Sequence, residues 1–158
     1  MSIKSCAPDR ATSAVHRFIF RVISTVIAPL LFFFMISCGS GTEVTTAKQS
    51  VDLFHSQVDS EQYDAVYAAA DDGMHKAATA ADFVNLLTAI HTKLGSIQAS
   101  QFQNYRVNLS TGEGATVTLV YNTTFQKGDG AEEFVWHMRD GKALLLGYHI
   151  TSNALITK

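Results

Sequence analysis

Residues 116–125 read TVTLVYNTTF, and this stretch decides the fold. Apolar and aromatic side chains alternate with Thr, Val and Asn, so successive side chains would point to opposite faces of a strand. β-branched and aromatic residues also fill a pleated surface well. The stretch therefore predicts a β-strand with one buried face. Its outward positions are Thr116, Thr118, Val120, Asn122 and Thr124.

A preceding strand is predicted by the alternation in residues 105–109. Tyr105, Val107 and Leu109 alternate there with polar residues. We therefore expect these three side chains to form one dry face.

Two following strands are predicted by residues 134–138 and 144–150, which alternate in the same way. Asp140-Gly141 between them favours a two-residue hairpin turn, because such a turn needs residues that accept positive φ. The register places Trp136 in the core and His137 in solvent. Four strands joined by short turns predict an antiparallel meander.

A helical period precedes the strands. The predicted apolar face of the first helix consists of Ala47, Val51, Phe54 and Val58. That of the second helix consists of Tyr63, Val66, Tyr67 and Ala70. That of the third helix consists of Phe83, Leu86, Leu87, Ile90 and Leu94.

The limits of these helices follow from capping and turn residues. Asp59 or Ser60 is placed to cap the second helix, which Asp71-Asp72-Gly73 then ends or bends. Thr79 is placed to cap the third helix, and Gly95 ends it. The prediction is an α+β fold, in which three N-terminal helices pack on a curved antiparallel four-stranded sheet.

Residues 22–38 read VISTVIAPLLFFFMISC and form a second, independent signal. An uncharged apolar run follows basic residues and ends among small residues, which is the layout of an export signal. Met35-Ile36-Ser37-Cys38 resembles a bacterial lipobox, and this resemblance implies that Cys38 is lipidated and becomes the first mature residue. Residues 1–37 are then a signal peptide, residues 38–46 a flexible tether and residues 47–158 a single domain.

Two alternatives to the lipoprotein remain open for this segment. The sixteen uncharged residues would span roughly 24 Å as a helix, which is short of a hydrocarbon core of about 30 Å, but an uncleaved membrane anchor is still possible. Ordinary secretion after cleavage is the other alternative.

Composition narrows the class of protein further. The chain has 158 residues and a formal charge of −2, and the part after residue 37 holds 8 Lys and Arg against 13 Asp and Glu. An acidic domain argues against nucleic-acid binding, which needs a basic face. The two cysteines are Cys6 and Cys38, so no pair remains in the domain for a disulfide.

Residues with catalytic or metal-binding chemistry are scattered in this sequence. The histidines form no closely spaced pair, which gives no support to a metal site, and no known catalytic motif occurs. Glu132 and Glu133 are neighbours in a predicted strand, so they point to opposite faces and cannot jointly flank a substrate. Asp71-Asp72 lies beside Gly73 and is interpreted as a solvated turn. We therefore expect no catalytic residue, metal or cofactor.

An aromatic set is the strongest candidate for a binding site. Its members lie on the predicted dry faces of neighbouring strands, where they either pack the core or line a ligand pocket. They are Tyr121, Phe125, Phe134, Trp136 and Tyr148.

Several short stretches resemble one family. They are Tyr63-Asp64 with Tyr67, Tyr121-Asn-Thr-Thr-Phe125, Glu132-Glu-Phe134, Asp140-Gly-Lys142 and Gly147-Tyr148-His-Ile150. Through them, residues 47–150 resemble a family of small bacterial proteins of unknown function, often exported or lipid-anchored. The order of elements resembles the nuclear-transport-factor-2-like, or cystatin-like, fold. This resemblance implies a cone of curved sheet closed by helices.

Three functions are compatible with these observations. The first is a lipid-anchored envelope protein that uses its concave face, without catalysis, to bind an envelope protein or a small apolar ligand. We expect it on the periplasmic side, at the outer rather than the inner membrane of a Gram-negative cell, because Gly39 follows Cys38. The second is an isomerase-like or dehydratase-like enzyme in the same cone, with Tyr121 or Tyr148 as proton donor. The third is a structural subunit that dimerises through the outward positions of residues 116–124.

Overall fold

A computed structural model describes residues 41–110 and 114–156 as an α+β domain. Its helices are α1 (Gly41–Asp59), α2 (Tyr63–Ala68), α3 (Asp72–Ala77), α4 (Ala80–Leu94) and α5 (Asn153–Ile156). Its strands are β1 (Ile97–Ser110), β2 (Gly114–Phe125), β3 (Gly128–Arg139) and β4 (Lys142–Thr151). The predicted fold class is confirmed. The predicted signal peptide and Cys38 lie outside the described residues.

The four strands form one antiparallel sheet in the order β1-β2-β3-β4. The predicted hairpin between β3 and β4 is confirmed, since Arg139 pairs with Lys142 and both Asp140 and Gly141 have positive φ. Sequential pairing of this kind makes the sheet a meander, as the alternating sequence predicts. Trp136 is buried, with 4% of its surface exposed.

The inner face of the sheet, which is the face that packs against the helices, carries the hydrophobic core. The buried residues predicted for α1 are Ala47, Val51, Phe54 and Val58, and all four are confirmed. On the sheet side Phe134 lies at the centre of the core and is fully buried. Its ring contacts those of Phe54, Trp136 and Tyr148. Helices and sheet therefore share one continuous core.

The first helix begins earlier than the sequence pattern indicates. A flexible tether was expected over residues 38–46, but residues 41–46 belong to α1. Val44 packs against the core, and the hydroxyl of Thr45 donates to the carbonyl of Gly41 at 2.8 Å. Tertiary contact and these local bonds outweigh the low helix propensity of the Gly/Thr-rich stretch.

The predicted limits of the second helix are wrong. Asp59 is the last residue of α1, and its carboxylate accepts a hydrogen bond from the backbone N–H of Ile97 at 3.0 Å. The helix α2 follows Gln62, which makes no side-chain cap. Asp71 was expected to end a helix but begins α3, because its side chain caps the N–H of Gly73 at 2.7 Å.

The third predicted helix, α4, has the expected ends but a narrower buried face. Thr79 caps it by accepting from the N–H of Asp82, and Gly95 follows it with φ of 74°. Leu86, expected in the core, is 45% exposed. The chain after β4 forms α5.

The strand β1 begins at Ile97, and its predicted dry face is confirmed only at Val107, which is half-buried and packs against the core. Tyr105 is 55% exposed and Leu109 is 83% exposed. Both pair with buried β2 residues, Leu119 and Ala115, so they do lie on the inner face of the sheet. They stay exposed because β1 is an edge strand and the helices of residues 41–110 and 114–156 do not cover this end of it.

Candidate functional site

Two pairs of one histidine and one carboxylate dominate the polar chemistry of the domain. The first pair consists of His55 on α1 and Glu132 on β3, and the second consists of His137 on β3 and Asp71 before α3. The sequence pattern separates these residues by 77 and 66 positions, so only the fold brings each pair together.

Glu132 is the least expected buried residue. Glu132 and Glu133 were expected to point to opposite faces of a strand, and only 1% of the surface of Glu132 is exposed. Strand parity explains this burial, because Glu132 lies two residues before Phe134 and therefore shares the inner face with it. The same parity leaves Glu133 exposed. The signal was present in the sequence, since an alternating strand assigns a face to every one of its residues.

Three side chains satisfy the Glu132 carboxylate. Its Oε2 accepts from Nε2 of His55 at 2.9 Å and from the hydroxyl of Thr123, while its Oε1 accepts from the hydroxyl of Tyr148 at 2.7 Å. A carboxylate only accepts hydrogen bonds, so Nε2 of His55 carries the hydrogen in this pair. A buried carboxylate needs such partners because an unpaired one costs several kcal/mol.

The network continues outward through Ser100 on β1. Because the hydroxyl of Thr123 donates to Glu132, the hydroxyl of Ser100 donates to Thr123 across 2.9 Å. Each hydroxyl therefore donates toward the carboxylate, from Ser100 to Thr123 and from Thr123 to Glu132. Ser100 itself is half-buried.

Aromatic rings enclose the Glu132 network. Phe134 and Tyr121 lie against the ring of His55, with centroids 5.6 and 6.4 Å away. Only 8% of His55 is exposed. The carboxylate–histidine pair is therefore sealed inside the core, and a ligand cannot reach it without displacing packed side chains.

The two tyrosines proposed as proton donors are poor acids in this environment. Burial, together with the Glu132 carboxylate, raises the pKa of Tyr148 well above its ordinary value. Burial and the charge of Asp52 raise the pKa of Tyr121 to about 12. Both groups are therefore protonated and hold their protons tightly near neutral pH.

The second pair lies on the outer face of the sheet. Nδ1 of His137 donates to Oδ2 of Asp71 at 2.8 Å, and Oδ1 of Asp71 accepts from the N–H of Gly73. His137 was expected to be solvent-exposed, but only 12% of its side chain is exposed. The difference arises because the segment after α2 returns to β4, where the N–H of Asp71 bonds to the carbonyl of Leu145.

Asp71 is buried, with 5% of its surface exposed, although its position was interpreted as a solvated turn. Burial alone would raise the pKa of its carboxyl group. The hydrogen bonds from Gly73 and His137, with the nearby Arg139, outweigh burial and lower that pKa below its ordinary value. Asp71 is therefore a carboxylate that orients the ring of His137.

The Asp71–His137 pair faces a polar cleft of about 630 Å³. Side chains along its wall include Asp71, Lys76, Ser110, Thr116, His137 and Arg139. Nε2 of His137 lies close to Gly114, another residue of this wall. The volume is within the range of small-molecule sites, roughly 300–1,000 Å³. We refer to this feature as the Asp71–His137 cleft.

The five aromatic residues proposed to line a pocket are part of the core or border it. Tyr121, Phe125, Phe134 and Trp136 are each buried, and Tyr148 is half-buried. Their rings fill the space that an open cone would offer to a ligand. Among the residues that the structure describes, the Nε1–H of Trp136 has no hydrogen-bond partner, and the ring borders a cleft of about 70 Å³.

The outward positions of β2 that were proposed as a dimer face differ in exposure. Thr116, Thr118 and Val120 are half-buried, whereas Asn122 and Thr124 are exposed. Thr116 belongs to the Asp71–His137 cleft. The first three of these outward positions are therefore partly covered by other residues of the domain.

The described residues, 41–110 and 114–156, contain neither a metal-binding group nor a membrane-spanning helix. Within them, no group of three or more His, Cys, Asp and Glu side chains is placed to hold a metal ion. In the same residues, each helix is too short or too polar to cross a membrane.

Comparison with known proteins shows similarity to one protein family. The model of a family described as a protein of unknown function (DUF4019) matches residues 50–148. A search of curated proteins returned no match.

Proposed function

The chain belongs to the DUF4019 family of proteins of unknown function, and we propose that it is a lipid-anchored cell-envelope protein that binds a polar ligand or partner in the Asp71–His137 cleft. The proposal has two parts, anchoring and binding, which rest on different residues and are tested separately.

The anchoring part rests on the sequence around Cys38. A charge-free run of sixteen residues and the Met35-Ile36-Ser37-Cys38 ending favour export, lipidation at Cys38 and removal of residues 1–37. The domain then works on the periplasmic side, at the outer membrane in a Gram-negative cell. Two or three acyl chains hold a protein on a bilayer essentially permanently, whereas one binds reversibly.

One observation carries the binding part: the inner face is filled and the outer face is not. Phe54, Phe134 and Trp136 occupy the space that the concave face would otherwise offer. The Asp71–His137 cleft, in contrast, is open and has a rigid buried carboxylate and a positioned imidazole at its wall. A few fixed polar groups in a cleft of this size are typical of binding sites. We therefore move the proposed site from the concave face to the outer cleft.

A second candidate function is favoured by the same pair. A buried carboxylate that holds one ring nitrogen of a histidine is the arrangement used to orient a general base. An acid–base enzyme would then act in the outer cleft rather than in the cone.

The binding part is tested by purifying the protein from native membranes and identifying co-purified small molecules and proteins by mass spectrometry. We expect His137→Asn to lose a molecule that the wild type retains, because it loses the positioned imidazole. The matched control is His149→Asn, an exposed histidine outside the cleft. Equal retention by the wild type and His137→Asn would exclude the cleft as the site. Conversion of the retained molecule by the wild type but not by His137→Asn would favour the enzyme.

The anchoring part is tested with Cys38→Ser. We expect this variant to keep its first 37 residues and carry no lipid, while the wild type is shorter and resists extraction by salt. Intact-mass analysis distinguishes these forms. A wild-type protein that retains Met1 and lacks lipid would contradict lipidation.

A further inference from the structure

An exposed apolar strip runs along the inner side of β1. Phe102 contacts Tyr121 of the core, with ring centroids 5.7 Å apart, and stacks on Tyr105 at 6.4 Å. Val107 and Leu109 continue in the same direction on the same face, because they pair with the buried Val117 and Ala115. Tyr105 is 55% exposed and Leu109 is 83% exposed, so the strip leaves the core and ends in solvent. We call residues 105–109 the β1 tip.

Two contacts fix how α1 lies along β1. The carboxylate of Asp59, at the end of α1, binds the N–H of Ile97, at the start of β1. Nζ of Lys48 lies 3.4 Å from the ring centroid of Phe102. The helix and the strand therefore run in opposite directions, and the beginning of α1 lies toward the end of β1.

The β1 tip extends past the beginning of α1. From Lys48 back to Gly41 is about 10 Å at 1.5 Å per helical residue. From Phe102 forward to Leu109 is about 23 Å at 3.3 Å per strand residue. Leu109 therefore projects roughly 10 Å or more beyond the first turn of α1, which explains why none of the described helices covers it.

The chain before Gly41 leaves the domain at this same end. Only Gly39 and Ser40 separate Gly41 from Cys38, so covalent geometry holds Cys38 within about 11 Å of Gly41. An anchor at Cys38 brings the bilayer surface to the beginning of α1. The length by which the β1 tip projects is about the length of that link.

The chemistry of the tip suits a bilayer surface. Tyr side chains favour the membrane–water interface, where the ring is apolar and the hydroxyl is wet. Arg106 is the only charged residue in β1, so the strand carries no carboxylate. The β3–β4 turn, at the same end of the sheet, carries charges of both signs, because Asp140 lies between Arg139 and Lys142.

We propose that the β1 tip, through the exposed Tyr105 and Leu109, contacts the lipid bilayer and fixes the orientation of the anchored domain. The occupant of this apolar strip is therefore the headgroup and upper acyl region. The proposal rests on the anchoring part of the proposed function but not on the cleft. The outer face, with the Asp71–His137 cleft, would then stand beside the membrane rather than at a distance from it.

The test places a tryptophan on the tip of the full-length protein in vesicles of phosphatidylcholine brominated on its acyl chains. Leu109→Trp reports the tip, and Ile156→Trp is the matched control. Ile156 is 80% exposed and lies on α5, near Gly128 at the opposite end of the sheet. The buried Trp136 of the wild type supplies the background emission.

We expect the emission of Leu109→Trp to shift to the blue and to lose intensity in brominated vesicles. Bromine near the headgroup should quench more strongly than bromine near the chain end, because interfacial elements enter by only about 5–10 Å. Ile156→Trp should show neither effect. Unshifted, unquenched emission from Leu109→Trp in membrane-bound protein would overturn the proposal. A concentration-dependent blue shift without quenching would mean that a second copy covers the strip, which also overturns it.

Failure of anchoring gives a different result. If intact mass shows no lipid and residues 1–37 retained, lipidation is contradicted, yet quenching at position 109 would still support the tip, since only three residues join the apolar run of residues 22–37 to Gly41. If lipid is present and position 109 is not quenched, the proposed function stands and the tip does not. Protein found only in the supernatant contradicts both.

Discussion

The two carboxylate–histidine pairs have the same chemical groups at nearly the same distance, yet they lie in opposite environments. His55 and Glu132 are 2.9 Å apart inside the core, and His137 and Asp71 are 2.8 Å apart at the wall of an open cleft. Side-chain hydroxyls bind Glu132 in the first pair, whereas a backbone N–H binds Asp71 in the second, which borders a cleft. Distance alone therefore does not identify a functional pair.

The two pairs differ in whether a ligand can reach them. Every oxygen of Glu132 is bonded to a core side chain, so the pair can tie α1, β2, β3 and β4 together but cannot meet a ligand. Asp71 is equally satisfied, but it presents His137 at a surface with room for a small molecule. We infer that the first pair specifies the fold and the second serves recognition.

The largest expected effect is on stability and belongs to the sealed pair. Glu132→Ala removes the shared acceptor of His55, Thr123 and Tyr148 and leaves a small cavity. We expect it to lower the free energy of unfolding by about 3–5 kcal/mol, because three buried donors lose their acceptor at about 1–3 kcal/mol each. Urea denaturation followed by the fluorescence of Trp136 measures this.

The neighbouring residue provides the control. Glu133→Ala changes the same side chain on the exposed face of β3 and should stay within about 0.5 kcal/mol of the wild type. Similar values for both variants would mean that the Glu132 network does not hold the elements together, and the comparison between the two pairs would fail.

The sequence predicts the elements of this fold better than its polar interior. Period-two alternation was sufficient for the meander and for the burial of Trp136, because burying one face is a local consequence of strand geometry. The burial of Glu132 follows from the same rule, two residues before Phe134, and was missed because charged residues are almost never buried unless paired. Its partner His55 is on another element, which no local pattern indicates.

The second pair could not be predicted from local patterns. Asp71 follows α2 and His137 lies on β3, and they meet because the chain after α2 returns to β4 and caps α3 there. The exposure of Tyr105 and Leu109 was missed for a related reason. Alternation assigns a residue to a face, but whether a helix reaches far enough to cover that face depends on tertiary structure.

A smaller effect tests the hydrogen bond from the hydroxyl of Tyr148 to Glu132. Tyr148→Phe removes one donor to Glu132 and should cost roughly 1.5–3 kcal/mol, as expected for a hydrogen bond to a charged group. The pKa of Tyr148 is raised in the folded state, so its contribution is complete below the unfolded value of about 10 and is lost as pH rises above it. Urea denaturation at neutral and alkaline pH should show that the free energies of unfolding of the wild type and Tyr148→Phe converge at high pH.

The control is Tyr105→Phe, at an exposed ring, which should change neither the free energy of unfolding at neutral pH nor its dependence on pH. A pH-independent difference for Tyr148→Phe would contradict the role of its proton.

The smallest expected effect belongs to the cleft pair and appears on the acid side. Asp71→Asn keeps a side chain that can cap α3 but loses the charge that holds His137, so we expect a cost of about 1 kcal/mol at neutral pH. The pKa of Asp71 is lowered in the folded state by Gly73 and His137 against the effect of burial. As the pH falls through the unfolded value of about 4, the unfolded chain binds a proton first, and the stabilisation is lost as the pH then falls through the lower folded value. The stability difference between the wild type and Asp71→Asn should therefore be constant above about pH 5 and should shrink toward zero below pH 4.

The control is Asp72→Asn, at a residue with 77% of its side chain exposed, whose free energy of unfolding should equal that of the wild type at every pH. If Asp71→Asn differs from the wild type equally at every pH, its carboxylate is not the charged partner of His137, and the two pairs would no longer share one chemistry in two environments.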